Sequence, residues 1–273
     1  MRDNNHFQKH GPDYDYTFAG IQAGLDLYGS DSSFDGGTDT AGVYVGYGQI
    51  NARVKGAYEG RAGSVEMDAY TVGAYWTHRS PIGWYSDAVI QGTWYSTDAT
   101  SFYGQKLEPD GFGIIASLEG GHTFRMSNGL IIEPQAQIAY QNTSFDTVND
   151  AYGHFSFNDG ESLRGRIGIR VANEWNTADP ADPRMITTWI RANLWHEFLG
   201  NTHTMVTGLT DYQGINAVTV PAKLGGTWGE IGAGMSAQVS GSMTLFATRA
   251  YNRSLDNKGR EAWNGRIGIY YKW

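Results

Sequence analysis

The chain repeats one pattern from Tyr14 to its end: apolar residues at every second position over about ten residues, then a polar, glycine-rich break. In residues 18–28, Ile21, Ala23, Leu25 and Leu27 alternate with Gln22, Gly24 and Asp26, and a turn-rich segment follows over 29–40. Ala41, Val43, Val45 and Tyr47 then face away from Gly42, Tyr44, Gly46 and Gly48, and residues 65–78 put Tyr70, Val72, Ala74 and Trp76 on one side. Residues 84–95 set Trp84, Ala88, Ile90 and Trp94 against Tyr85, Asp87, Gln91 and Thr93. A period of two is the spacing of a strand with one face in an apolar medium and the other in water.

The second half continues the series. Ile114, Ala116 and Leu118 oppose Ser117, Glu119 and Gly121; Ile132, Pro134, Ala136, Ile138 and Tyr140 oppose Glu133, Gln135, Gln137 and Ala139. Pro134 is awkward there, because proline donates nothing to a ladder. The most polarised segment sets Leu163, Gly165, Ile167, Ile169 and Val171 against Arg164, Arg166, Gly168 and Arg170. Residues 186–198 set Ile190, Ala192, Leu194 and Phe198 against Trp189, Arg191, Asn193 and Glu197, with 202–209 read as their continuation past Gly200. Ile231, Ala233, Met235 and Ala237 oppose Glu230, Gly232, Gly234 and Ser236. In the next segment Arg249 shares the parity of Leu245, Ala247 and Tyr251. An arginine on lipid costs about 2–4 kcal/mol at the midplane, so a bulge, a register change or a place near the interface is expected. The last segment puts Gly265, Ile267, Ile269, Tyr271 and Trp273 on one face and Asn264, Arg266, Gly268, Tyr270 and Lys272 on the other.

About eleven such segments, joined alternately by longer loops and shorter turns and without helical stretches between them, describe an all-β, up-and-down antiparallel transmembrane β-barrel. Ser80-Pro-Ile-Gly83 and Met126-Ser-Asn-Gly129 are among the tight turns; residues 96–109, 142–160 and 210–222 read as loops. An odd strand count leaves the first and last strands parallel, whereas bacterial single-chain barrels have even numbers. One strand is therefore missing before residue 14. Residues 1–13 read as a polar remnant outside the barrel of residues 14–273, and the edge of residues 265–273 is expected to lie open or to be poorly paired by residues 1–13.

Composition agrees with strands and turns: 37 Gly, 9 Trp, 17 Tyr and 14% aromatic residues beside 18% charged. Tryptophan and tyrosine suit pleated surfaces and membrane interfaces. A net charge of −8 gives no electrostatic footprint for nucleic acid. There is no cysteine, which excludes disulfides and thiolate metal sites and suits an oxidising periplasm. No apolar run is long enough for a transmembrane helix, a test that barrel strands escape because their alternate residues are polar. Residues 1–10 lack the apolar region of a signal peptide, so an exported chain would be part of a longer precursor.

The ordered set Gly20-Ile-Gln-Ala-Gly-Leu-Asp26, Tyr70-Thr-Val-Gly-Ala-Tyr-Trp-Thr77, Gly83-Trp-Tyr-Ser-Asp-Ala-Val-Ile-Gln91, Ala116-Ser-Leu-Glu-Gly-Gly121, Glu133-Pro-Gln-Ala-Gln137, Gly165-Arg-Ile-Gly-Ile-Arg170, Arg191-Ala-Asn-Leu-Trp-His-Glu-Phe198 and the closing Gly265 to Trp273 resembles the C-terminal translocator domain of autotransporters of the pertactin and AIDA type. The resemblance implies a twelve-stranded barrel in the outer membrane of a Gram-negative bacterium, supporting export and surface anchoring of an N-terminal passenger whose linking helix runs through the pore. It restores the strand around Pro134, and it implies that Gly265, Ile267, Ile269, Tyr271 and Trp273 form the signal read by the barrel assembly machinery. The usual first strand, the pore helix and the passenger are not found in the sequence, and residues 1–13 resemble only the loop after that strand.

If the apolar faces meet lipid, Glu119, Glu133, Gln135, Gln137, Arg164, Arg166, Arg170, Arg191, Asn193 and Glu230 line a common wet interior. At least one of Arg166 and Arg170 is then expected to pair with Glu119 or Glu133, since charges partly removed from water are kept paired. An ordinary polar lumen is the plain reading, and a charged conduit for an unfolded passenger is the sharper one. Enzyme signatures are missing: His196-Glu197 lacks the second histidine of a zinc protease, and Gly234-Met-Ser236 lacks the trailing glycine of a nucleophile elbow. No catalytic residue, cofactor or metal is expected, and His122, His196 and His203 read as interfacial residues. The expected partners are outer-membrane lipid, the barrel assembly machinery and the chain's own passenger, around a monomeric barrel. A free-standing porin or adhesin-like barrel shares the pattern. A soluble lipocalin-like barrel would invert the faces and enclose a core far too large for one small ligand.

Overall fold

The computed structural model describes residues 2–6, 13–31, 35–55, 60–150, 153–176, 184–208, 218–223, 225–256 and 261–272. In chain order the strands are β1 (Arg2–His6), β2 (Asp13–Ser30), β3 (Thr38–Lys55), β4 (Arg61–Arg79), β5 (Trp84–Ser101), β6 (Lys106–Leu107), β7 (Asp110–His122), β8 (Phe124–Arg125), β9 (Leu130–Phe145), β10 (Val148–Asn149), β11 (Gly153–Phe157), β12 (Gly160–Asn176), β13 (Met185–Glu197), β14 (Asn201–Gly208), β15 (Val218–Lys223), β16 (Gly226–Gln238), β17 (Met243–Ser254) and β18 (Glu261–Tyr271). Twelve form a ring of antiparallel neighbours, β1-β2-β3-β4-β5-β7-β9-β12-β13-β16-β17-β18 and back to β1. The eleven long segments read from the sequence are eleven of these staves. β6 and β8 extend the ladders of β5 and β9.

The short turns fold as tightly as their residues allow. At Ser80–Gly83 the Gly83 N–H donates to Ser80 O at 3.1 Å, the Ser80 N–H donates to Trp84 O at 2.9 Å, and Gly83 takes φ = 101°, a left-handed angle suited to a residue without Cβ. This turn, the turn at 126–129 and the turn at 240–242 share one rim with the end of β18, where the Lys272 N–H donates to Ser242 O at 2.8 Å. The connections 102–109, 146–159 and 198–225 share the other.

Several segments extend further than the alternation alone shows. Residues 29–30 and 38–40 belong to β2 and β3, β5 runs to Ser101, and β9 runs to Phe145. Polar residues beyond an apolar belt still extend a ladder, but they carry no hydrophobic contrast to mark it. Residues 202–209 do not continue β13 past Gly200. β14 instead pairs with β11 and β15, and with β10 they make a separate four-stranded sheet on the long-loop rim. Pro134 is accommodated by a break in one ladder: β7 pairs with β9 as far as Gly121↔Gln135, β8 resumes at Phe124↔Ile132, and Pro134 lies between. On its other side it faces Ile169 in an unbroken ladder.

Arg2–His6, read as loop outside the wall, is β1. It pairs over five residues with β2, from Arg2↔Thr17 to His6↔Asp13, and with β18 only at Asp3↔Ala262. Among the described residues, the rest of β18 toward Tyr271 has β17 on one side and no strand on the other. The ring is thus closed at the long-loop end and thin below it. Tyr271 is exposed with Ile267 and Ile269 on the outer face; Trp273 lies outside the described residues.

The outer face carries an apolar belt bounded by aromatic rings. On the short-turn side stand Tyr28, Trp76, Trp84, Phe124, Trp175 and Tyr271; on the other stand Tyr47 against Tyr70 (centroids 5.3 Å apart), Trp94 against Phe112 (5.2 Å), Tyr140, and Tyr251 against Trp263 (4.7 Å). The polar tips of the second set point away from the belt: hydroxyls of Tyr47, Tyr140 and Tyr251 donate to Asp68 (2.6 Å), Glu161 (3.1 Å) and Glu261 (2.8 Å). An apolar body with a wetted tip is how such rings sit at a membrane surface. Arg249 causes no bulge and no register shift, pairing in sequence with Gly265 and Ala233. It lies one outward position below Tyr251, with its guanidinium 4.6 Å from the Trp263 ring centroid.

Candidate functional site

Closing the ring turns the polar faces of β7, β9, β12, β13 and β16 toward one another, and their charges pair there. Register sets who meets whom. Glu119, Gln137 and Arg166 lie in one row across β7, β9 and β12, and Arg166 reaches over the middle strand to Glu119 with Nη2–Oε2 of 2.6 Å. The same glutamate accepts from the Tyr85 hydroxyl at 2.7 Å. Arg170 faces Glu133 directly, 3.6 Å away, and Glu133 also accepts from Gln135 Nε2 (2.6 Å) and Thr123 Oγ1 (3.0 Å). Arg164 faces Glu197 at 3.6 Å and donates to Gln141 at 2.7 Å. Arg191 Nε forms an ion pair with Glu230 Oε1 at 2.9 Å, the Asn193 Nδ2 amide donates to Glu230 Oε1 at 2.8 Å, and Gln137 donates to Ser117 at 2.9 Å.

All ten residues marked in the sequence therefore stand on the inner face of adjacent staves. Four arginines meet four glutamates. Arg166, Glu197 and Glu230 are buried, which a charge tolerates only with a partner, and the neutral Asn193 is buried beside Glu230. The pairings between Arg166 or Arg170 and Glu119 or Glu133 are both present.

Sequence reasoning passed over the rings that organise these charges. Arg170 and Arg191 are direct cross-strand neighbours, a like-charge arrangement, and the Trp189 ring lies 5.7 Å from one guanidinium and 5.4 Å from the other. The Trp195 ring lies 5.3 Å from Arg166 and stacks on Trp228 with centroids 5.8 Å apart. Parity places Trp189 and Trp195 inside, and that signal was available. Glu197, Tyr85 and Gln141 share the same parity and were likewise not marked as site residues.

On β5, Asp87 sits opposite Glu119 in register and accepts from Thr77 Oγ1 at 2.5 Å; beyond it, the middle of β3 and β4 carries Tyr, Gly and Thr on this face. Tyr44 lies over Gly73, where a Cβ would overlap its ring, and the Tyr44 hydroxyl donates to Gln91 at 2.8 Å on the strand beyond. Thr71 and Thr93 hydroxyls are 3.0 Å apart. Toward the short-turn rim, Asp26 accepts from the Tyr75 and Tyr270 hydroxyls, the latter at 3.4 Å, which ties β18 to β2 and β4 beside the stretch of β18 that β1 does not pair. At the long-loop end the lumen keeps a cavity of about 840 Å³ between Arg164, Glu197, Trp195, Trp228, Glu230 and Arg266.

Among the described residues, no histidine pairs with these charges. His122 and His196 lie beside Phe124 and Phe198 at strand ends, and the side chain of His203 lies outside the described residues. His78 is fully buried at the short-turn rim, its Nδ1 3.0 Å from Asp39, its Nε2 3.4 Å from Asp35 and its ring 4.5 Å from Trp84. No cluster of metal-ligating side chains occurs among the described residues.

Residues 3–248 match the family described as autotransporter beta-domain. The chain belongs to that family. It is 27% identical over 267 residues to the adhesin BmaC autotransporter of Brucella suis, covering 95% of this chain and 7% of that protein. It is also 27% identical over 268 residues to the pertactin autotransporter of Bordetella bronchiseptica, covering 96% of this chain and 27% of that one. This autotransporter domain thus spans about a quarter or less of the relatives' lengths. Its fold is shared by the transport unit of AIDA-I from Escherichia coli, with a TM-score of 0.82, 17% identity, and 100% and 88% of the two chains covered. The beta domain of the Bordetella autotransporter BrkA gives a TM-score of 0.71 at 22% identity, with 100% and 96% covered. The family's barrels stand in the outer membrane of Gram-negative bacteria, where such barrels keep their short turns on the periplasmic side and their longer loops outside.

Proposed function

We propose that this autotransporter barrel supports the export of a passenger joined to its N-terminal side and then holds that passenger at the cell surface. The observation that carries the reading is the lumen: a polar interior with one charge-paired wall and one Tyr/Gly/Thr wall, inside a ring whose outer face is a lipid belt. The charged wall is self-neutralising, four arginines against four glutamates. An extended chain passing it meets paired charges, so neither sign of charge on that chain is held. The open space at the outer end is enough for about two turns of a helix. The barrel assembly machinery recognises the end of β18 through Ile267, Ile269 and Tyr271, with Gly265 and Trp273 completing the alternation, and the folded barrel is monomeric.

Export is tested by joining a signal peptide and an epitope-tagged β-rich passenger ahead of residue 1 and probing intact cells with protease and antibody. The expected result is an epitope outside the cell together with a barrel that shows heat-modifiable migration. A barrel that is folded by that criterion while the epitope stays periplasmic contradicts the proposal.

A further inference from the structure

The four lumenal arginines with charged partners have a counterpart on the opposite face without one. Arg249 points outward from β17, exposed, with Ala233, Ala247, Tyr251 and Gly265 as its outer-face neighbours. No ion pair to it occurs among the described residues; its contact is the Trp263 ring at 4.6 Å. Beside it the outer face is notched. A Cβ at Gly265 would touch only Thr248 O, at 3.4 Å, so an opening of about 380 Å³ is left between Arg249, Trp263, Gly265 and Ile267. Below the notch, Ile267 and Ile269 are 87% and 66% exposed on the strand edge that β1 does not cover.

Depth decides what fits. The notch lies just beneath the outer aromatic level set by Tyr251 and Trp263, where lipid headgroups begin. A guanidinium left at that depth with a π-face alone keeps most of its donors unfilled, and a planar fork of donors matches phosphate oxygens. The occupant must therefore present an anion from above and hydrocarbon below. The Tyr251 hydroxyl above it donates to Glu261 at 2.8 Å, and no carboxylate pairs with Arg249 among the described residues.

We propose that Arg249, Trp263 and the Gly265 notch form a seat for the phosphorylated headgroup of an outer-leaflet lipid, whose acyl chain lies along Ile267 and Ile269. The guanidinium stays stacked on Trp263 and gives its free N–H groups to the phosphate. The bare backbone at Gly265 lets the headgroup approach the wall. This seat does not depend on passenger export, and its test is separate from that of the passenger.

The experiment uses the folded barrel in neutral detergent, with bound lipid counted by native mass spectrometry and the unfolding midpoint followed by heat-modifiable migration. Three probes are titrated: bisphosphorylated lipid A, the same lipid A with both phosphates removed, and inorganic phosphate. The bisphosphorylated lipid is expected to bind and raise the midpoint, and Arg249→Gln is expected to weaken binding about tenfold, the loss of a charge-assisted hydrogen bond. Arg53→Gln, an exposed arginine on β3, is expected to bind as the parent does. Equal binding by the dephosphorylated lipid, or undiminished binding by Arg249→Gln, overturns the seat. An equal midpoint rise with inorganic phosphate alone identifies a free-anion site and overturns the lipid assignment. If Arg249→Gln does not fold, Arg249→Lys carries the test: it keeps the charge without the fork, and binding equal to the parent overturns the role of the guanidinium.

Discussion

Arg166 is the most enclosed of the four lumenal arginines, and its partner Glu119 is only partly shielded, with side-chain exposures of 5% and 22%. Removing one member leaves the other charged in a confined place, whereas removing both leaves neither, so the single change should do more harm than the double. Arg166→Met is expected to destabilise the barrel by about 2–4 kcal/mol, and adding Glu119→Gln should restore part of that loss. Heat-modifiable migration across a temperature series measures both. Equal damage from the single and the double variant would show that the pair has no coupling. The Trp189 ring contacts both of two arginines that register sets opposite each other, 5.7 Å and 5.4 Å from their guanidinium carbons. Trp189→Leu should therefore lower the unfolding midpoint, and the deficit should shrink in high salt, because screening weakens the Arg170–Arg191 repulsion; a salt-independent deficit would assign Trp189 to packing alone. Parity alone groups these charges on one face of their strands. It did not show that Arg166 reaches past Gln137 to Glu119, since that requires the register of three strands at once.

Among the elements, β1 marks the limit of what periodicity reveals. Its residues, Arg-Asp-Asn-Asn-His, have no apolar alternation because they pair beyond the apolar belt, where neither face requires it. The same reason hid the ends of β2, β5 and β9. β14 was misread in the opposite sense: apolar alternation resumes after Gly200, and sequence does not say which sheet receives it. Pro134 was legible as an anomaly and is explained by the gap between β7 and β8. At the periplasmic rim, His78 pins the turn before β3 to the start of β5 through Asp35, Asp39 and Trp84. His78→Phe fills the space without the two polar contacts. It should leave the barrel assembled while raising protease cleavage within residues 31–37 on the periplasmic side; unchanged cleavage would show that the turn is held by other contacts.

On the scale of the molecule, eleven amphipathic staves, an apolar outer belt with aromatic borders and a polar inner face were legible because each rests on a period of two. The asymmetry of the lumen, the extra four-stranded sheet outside the barrel and the closing role of β1 were not, because they depend on which strands meet. Everything proposed for the lumen depends on the ring being closed, and the weakest link is the contact of β1 with β18 at Asp3↔Ala262. The chain has no cysteine, so a pair introduced there reports without interference. Directly opposed residues of antiparallel strands have Cα separations within the range a disulfide spans. The decisive measurement is oxidative cross-linking of the Asp3→Cys, Ala262→Cys double variant in outer membranes, read as a reducible shift in electrophoretic mobility. A closed ring predicts rapid, near-complete intrachain cross-linking, with much less when Cys is placed at Asp3 and Ile269 instead. Absence of cross-linking at Asp3 and Ala262 in a barrel that is otherwise heat-modifiable would contradict closure through β1.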